Sequence, residues 1–108
     1  MTTPDPTLRA FQQQIEALYR ERDAGRGVAR TYMWFVEEVG ELARCLLTQP
    51  PGGADEAAEF ADCLAWLSTL ASLRGVDLGA VAWQKYGAGC PRCALTPCSC
   101  AHRRETPL

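Results

Sequence analysis

Apolar positions recur along most of this chain every three or four residues, the spacing of a helix that buries one side. Leu8, Phe11, Ile15 and Leu18 set the first stripe. Pro4 and Pro6 precede it as a short extended leader, and Thr7 is placed to cap the helix. The pattern predicts a helix over 8–23, then a break at Ala24-Gly25-Arg26-Gly27, where two glycines oppose continuation. A second helix, capped by Thr31, should run to about Thr48, and Gln49-Pro50-Pro51-Gly52-Gly53 reads as a loop. Asp55 is placed to cap a third helix that reaches about Arg74 and stops at Gly75. A short fourth helix follows from Asp77 to Tyr86. No strand alternation and no internal repeat interrupts this pattern, so the fold class is all-α.

Polar residues set within these stripes carry the chemistry. Glu37-Glu38-Val39-Gly40-Glu41 and Glu59-Phe60-Ala61-Asp62 each hold two carboxylates three residues apart, which a helix places on one face. A solvated acidic face is the plain reading of such clusters, and angular position tests it. With Phe35 at zero and about 100° per residue, Val39, Leu42 and Leu46 fall within about 40° and define a buried stripe. On the same wheel Glu38 lies at about 300° and Glu41 at about 240°, flanked by Trp34 and Cys45, while Glu37 points off at about 200°. The third helix repeats the arrangement around Phe60, Leu64, Leu67 and Ala71, with Glu59 at about 260°, Asp62 at about 200° and Trp66 between them. Carboxylates bordering apolar surface are costly unless neutralised. A divalent cation held by Glu38, Glu41, Glu59 and Asp62 removes that cost, and an all-oxygen ligand set selects Mg²⁺, with Mn²⁺ as the alternative. A di-iron centre fits less well, because its Glu-x-x-His motifs have no counterpart: the chain's one histidine is His102, in the tail.

Composition narrows the setting. The 108 residues make one domain with a small core, 47% of them hydrophobic and 22% charged, and chains of this size commonly bury more surface in a symmetric oligomer. A net charge of -2 gives no general attraction to nucleic acid or to an anionic membrane. No apolar run reaches the length of a membrane span, and the first residues lack the apolar stretch of a signal peptide, so the expected location is cytoplasmic. In that compartment six cysteines are expected as metal ligands or core thiols rather than disulfides.

Glu-Glu-x-x-Glu at 37–41, seventeen intervening residues, and Glu-x-x-Asp at 59–62 resemble the signature of the MazG-type nucleoside triphosphate pyrophosphohydrolases. Thr31 to Leu42, TYMWFVEEVGEL, is similar to the family's first motif helix, and Arg22-Asp23-x-x-Arg26-Gly27 to the segment leading into it. The likeness covers roughly residues 8–86. It implies a helical bundle whose core is completed by dimerisation, as a homodimer or dimer of dimers. It also implies Mg²⁺-dependent hydrolysis of an NTP or dNTP to the monophosphate and pyrophosphate. By position, Glu38, Glu41, Glu59 and Asp62 would be the metal ligands, and Glu37 would orient a water or a second ion. Lys85, the chain's one lysine, would contact phosphate, and Trp34 and Trp66 are the aromatic candidates for the base. The family's further Asn and Arg positions beyond such a lysine are not visible here, where Gly87 and the cysteine cluster stand instead, which leaves Arg26 and Arg30 as substitutes. The pattern divides into a helical domain over 1–86, a cysteine-rich segment over 87–102 and a tail over 103–108.

Cys90-Pro-Arg-Cys93 and Cys98-Ser-Cys100 read as a zinc knuckle, since paired thiolates at short spacing chelate a tetrahedral ion. Cys98 with His102 is an alternative second pair. An inert reduced tail, an iron–sulfur cluster and a redox dithiol at Cys90 and Cys93 are the other readings. Cys45 and Cys63 are expected as small core residues beside the acidic site. Against the pyrophosphohydrolase stands a non-catalytic helical dimer whose knuckle, flanked by Arg92, Arg103 and Arg104, binds a protein or a nucleic acid.

Overall fold

A computed structural model of the protein describes residues 6–101. Among these residues the regular elements are all helical: α1, Leu8–Thr48; α2, Ala54–Leu73; and α3, Leu78–Tyr86. None is long and apolar enough to cross a membrane. The chain divides into two compact units, Met1–Leu78 and Gly79–Leu108, so that all of α3 but its first residue belongs with the cysteine-rich segment rather than with α1 and α2.

The first two predicted helices are one element broken at one residue. Gly27 sits at φ 82° and ψ 173°, a conformation that side chains disfavour, and helical backbone continues on either side of it. Thr7 caps α1 as expected, its Oγ1 accepting the Ala10 N–H at 3.0 Å. Thr31 is not a cap. Because Gly27 takes the whole turn, Thr31 falls one turn inside the resumed helix, where its hydroxyl donates to the Gly27 carbonyl at 2.7 Å.

Asp55 does not cap α2 either. Gly52, at φ 75°, turns the chain early enough for Gly53 to be the N-cap, and Asp55 and Glu56 fall in the first turn. Glu56 reaches back to accept the Gly52 N–H at 2.7 Å, and both acids complement the helix dipole. At the other end Gly75, at φ 69°, donates to Ser72 at 3.1 Å while Val76 donates to Ala71 at 2.8 Å, closing a Schellman turn.

Within the first unit α1 packs on α2 through a seam that is small and polar as much as apolar. Ile15, Cys45 and Ala71 are buried, together with Gln12, Asp23, Thr31, Ser68 and Thr69. Gln12 satisfies its amide completely: it donates to Ser72 Oγ at 3.0 Å and to the Val76 carbonyl at 2.8 Å, and accepts the Leu78 N–H at 2.9 Å. That one side chain ties the start of α1 to the turn after α2.

The apolar stripe expected to be buried is not the buried side. Phe35, Leu42 and Leu64 are half-buried, while Val39, Leu46, Phe60 and Leu67 are exposed, and only Ala71 of that set lies inside. Two helices cover one side of each other. Here the covered side holds the polar seam and the acidic residues, which leaves the larger apolar side of the single chain open.

Candidate functional site

Glu38 reaches the α1–α2 seam from the second arm of α1, and Glu59 and Asp62 reach it from α2, where their separation of three residues stacks them on one face. One carboxylate oxygen from each lies within 4.8 Å of the other two. Oε2 of Glu59 is buried and accepts no hydrogen bond. A buried acceptor without a donor is costly and calls for a cation or a proton. Glu38 carries the same strain as a raised pKa, about 7. Its hydrogen bond with the Glu59 carboxyl is the leading cause, followed by partial burial and by the charges of Glu59, Asp62 and Glu37. These residues fit a hard divalent cation: three converging carboxylates, one with an unsatisfied buried oxygen.

Glu41 is not part of this convergence. Its carboxylate is held in an ion pair with Arg44, one turn further along α1. Glu37 is exposed and points off the seam, as its angle predicted, and acts on Glu38 through charge. Cys45 is buried and Cys63 half-buried. Both thiols are pushed up, first by burial and then by the neighbouring carboxylates, led by Glu59 for Cys45 and Glu38 for Cys63.

A cleft of about 350 Å³ opens beside the acids, lined by Ile15, Tyr19, Arg22, Asp23, Arg26, Glu38, Asp62, Ala65, Trp66 and Thr69. Arg26 is the best-braced cation in it. Its guanidinium pairs with Asp23 at 2.8 Å, donates to Thr31 Oγ1 at 3.4 Å and lies 4.8 Å from the Trp66 ring centroid. Asp23 is itself buried and accepts from Thr69 Oγ1 across the seam at 3.1 Å. Planar Arg fixed by a carboxylate presents its remaining N–H groups in a defined direction, which suits an oxyanion. Trp34 and Trp66 stack on each other with centroids 6.2 Å apart and planes 16° from parallel, bracing α1 against α2.

Sequence reading placed Arg26 as a substitute cation, and it lines the cleft; Arg30 does not. Lys85 belongs to the second unit, where its ammonium lies 5.6 Å from the Tyr86 ring. Tyr19, Thr69 and the anchoring role of Asp23 were not foreseen. Asp23 left one local trace, an Asp-x-x-Arg pair ending an amphipathic helix, but its partner Thr69 is 46 residues away. Set against models of protein families and against curated proteins, the chain matches none.

In the second unit the four clustered cysteines form another ligand group, with Cys90, Cys93, Cys98 and Cys100 Sγ atoms all within 4.8 Å of one another. This group could hold a metal such as zinc. The segment folds as two short hooks: in the first, Ala94 N–H donates to the Cys90 carbonyl at 2.7 Å and Cys90 N–H to the Leu95 carbonyl at 3.0 Å; in the second, Cys100 N–H donates to Cys98 Sγ at 3.3 Å. Backbone N–H groups of Ser99 and Leu95 take the Cys93 thiol down to about 6, and those of Cys93 and Arg92 lower Cys90. Cys100 moves the other way, to about 12, because its thiol shares hydrogen bonds with Cys98 and Cys90. His102 lies outside the described residues.

Proposed function

We propose that this protein is a Mg²⁺-dependent pyrophosphohydrolase that cleaves an NTP or dNTP to the monophosphate and pyrophosphate. The observation that carries this reading is the meeting of Glu38, Glu59 and Asp62, two of which, Glu38 and Asp62, line a cleft that also presents Arg22 and Arg26. Carboxylates alone would repel a triphosphate, and arginines alone would bind it without activating water; a cleft holding both suits phosphate chemistry. The motif spacing and the likeness of 31–42 to the family's first helix supply the reaction.

Glu38, Glu59 and Asp62 would hold the ion, with Mn²⁺ as the alternative, and Glu41 would join them once its pair with Arg44 opens. Bound there, the ion supplies positive charge against the phosphates and makes water a better nucleophile. Arg26, braced by Asp23, orients a phosphate oxygen, with Arg22 beside it in the cleft. Glu37, exposed and turned off the seam, would have to swing towards Glu38 to orient the attacking water or a second ion, the role that the resemblance implies. Trp66 closes the apolar wall, where the base would rest against it.

We also infer a homodimer or a dimer of such dimers. Leu47 is 84%, Met33 70% and Phe60 54% exposed in the single chain, on the helices that build the site. That much apolar surface on so small a protein is ordinarily covered. Light scattering on the purified protein should return twice or four times the chain mass.

The deciding experiment is a pyrophosphate-release screen over common and modified NTPs and dNTPs with Mg²⁺ or Mn²⁺. At least one substrate should turn over with wild-type protein and lose turnover in Glu59→Gln and Asp62→Asn. Release that is absent for every nucleotide, or unchanged in both variants, would reject the assignment.

A further inference from the structure

We propose that Cys90, Cys93, Cys98 and Cys100 bind a single zinc ion as a closed four-thiolate site, without His102, and that this ion takes the place of a hydrophobic core in the second unit. The inference is independent of the pyrophosphohydrolase reading.

Distances carry the ligand set. A zinc–sulfur bond of about 2.3 Å makes the edge of a regular tetrahedron of sulfurs about 3.8 Å. Cys90 and Cys100 Sγ stand 3.8 Å apart and Cys93 and Cys98 Sγ 4.0 Å, each pair joining the two hooks rather than closing within one. The other separations stay within 4.8 Å. Two separations thus match tetrahedral edges and the others lie within reach of them, so four thiolates can fill the coordination shell and leave no corner for an imidazole or a water. A site closed in this way is structural, because catalysis requires an open position.

The backbone supports charge on the sulfurs. N–H groups of Arg92, Ser99 and Cys100 donate to Cys90, Cys93 and Cys98 Sγ at 3.4, 3.4 and 3.3 Å. Gly89, at φ 118°, allows the approach that starts the first hook, since a Cβ there would stand 2.8 Å from the Ala94 carbonyl oxygen. Yet none of the described residues from 79 to 101 is buried. A unit this small with no buried side chain needs a staple, and a structural metal is one of the few available.

The test uses the full chain, purified under reducing conditions, with metal content read by elemental mass spectrometry and thiol protection by alkylation mapping. Zinc should be present at one ion per chain, retained in His102→Ala and Glu59→Gln, and reduced to background in Cys93→Ser and Cys100→Ser. Because the serine variants could lose zinc by unfolding, the wild type is also read directly. All four clustered thiols should resist alkylation while zinc is bound and react once a chelator strips it, and cobalt substitution should give the strong sulfur-to-metal absorption of four thiolates in wild type and His102→Ala alike. Absence of zinc, iron in its place, alkylation of any of the four in the loaded protein, or a changed cobalt spectrum in His102→Ala would each overturn the proposal.

Discussion

The two ligand groups of this protein are built on opposite principles. Glu38, Glu59 and Asp62 sit on long helices whose packing is set elsewhere, by Gln12, Ile15, Asp23 and Thr69, so their scaffold stands whether or not an ion is bound. Those acids tax the fold: they repel one another and leave Glu59 Oε2 without a donor. The cysteines sit in a loop whose geometry is almost wholly their own, with no buried side chain near them in sequence. On the proposed readings, an ion in the first group would relieve a cost carried for function, and an ion in the second would supply the fold. Preformed sites of the first kind are what exchangeable, catalytic ions need, and ligand-dependent sites of the second kind are what permanent ions make.

The strongest way to break that contrast is to strip the protein of any bound metal. Chelation under reducing conditions should abolish amide-exchange protection across 87–101, because structural zinc contributes on the order of 10 kcal/mol to folding its own segment. Protection in α1 and α2 should remain. If the cysteine loop keeps its protection, the two groups do not differ as described.

Next in size is the functional effect of Glu59→Gln. It should lower Mg²⁺-dependent pyrophosphate release by on the order of 100-fold or more, since several kcal/mol of charge stabilisation go with the ion. The metal-free variant should melt higher than the metal-free wild type, because a repulsion has been removed. A lower melting point would show that the carboxylate supports the fold.

Asp23→Ala probes the scaffold itself. Removing the acid leaves the Arg26 guanidinium, about one-fifth exposed, without its partner and Thr69 without its acceptor. A loss of about 2 to 3 kcal/mol in denaturant unfolding is expected, just below the roughly 3 to 5 kcal/mol for a fully buried pair because the guanidinium keeps some solvent. A loss of a few tenths would mean that the seam does not depend on this network.

Glu38 gives the contrast a pH signature. Its carboxyl titrates at about 7 in the folded chain against 4.5 ordinarily, so between those values the native state holds the extra proton. Stability of the metal-free protein should therefore be fully present below about pH 4.5 as far as this group is concerned, and fall as pH rises towards 7. Thermal melts across that range should show the decline, Glu38→Gln should flatten it, and millimolar Mg²⁺ should raise the high-pH end by binding the ionised form. A smaller effect is expected at Ala94, which holds φ 63° in the cysteine loop where glycine fits better. Ala94→Gly should make the loop more stable by about 1 kcal/mol, read as tighter zinc retention against a chelator.

What the sequence determined by itself was of short range, although the caps expected at Thr31 and Asp55 fell to Gly27 and Gly53. Helix limits at Thr7 and Gly75, the break at Gly27, the pairing of Glu59 with Asp62 and the grouping of the cysteines all follow from backbone geometry within a few residues. Only the tertiary structure decided which side of each helix is covered. Angular position set Glu37 apart from Glu38, but a helical wheel does not register Arg44, one turn away, which holds the Glu41 carboxylate away from the other three in this structure. It also took the larger apolar stripe for the buried one. Apolar spacing says that a side seeks cover and not what covers it, and here α1 and α2 meet through Gln12, Asp23, Thr31 and Thr69 instead. The Asp23–Thr69 bond spans 46 residues, and no local rule reaches that far.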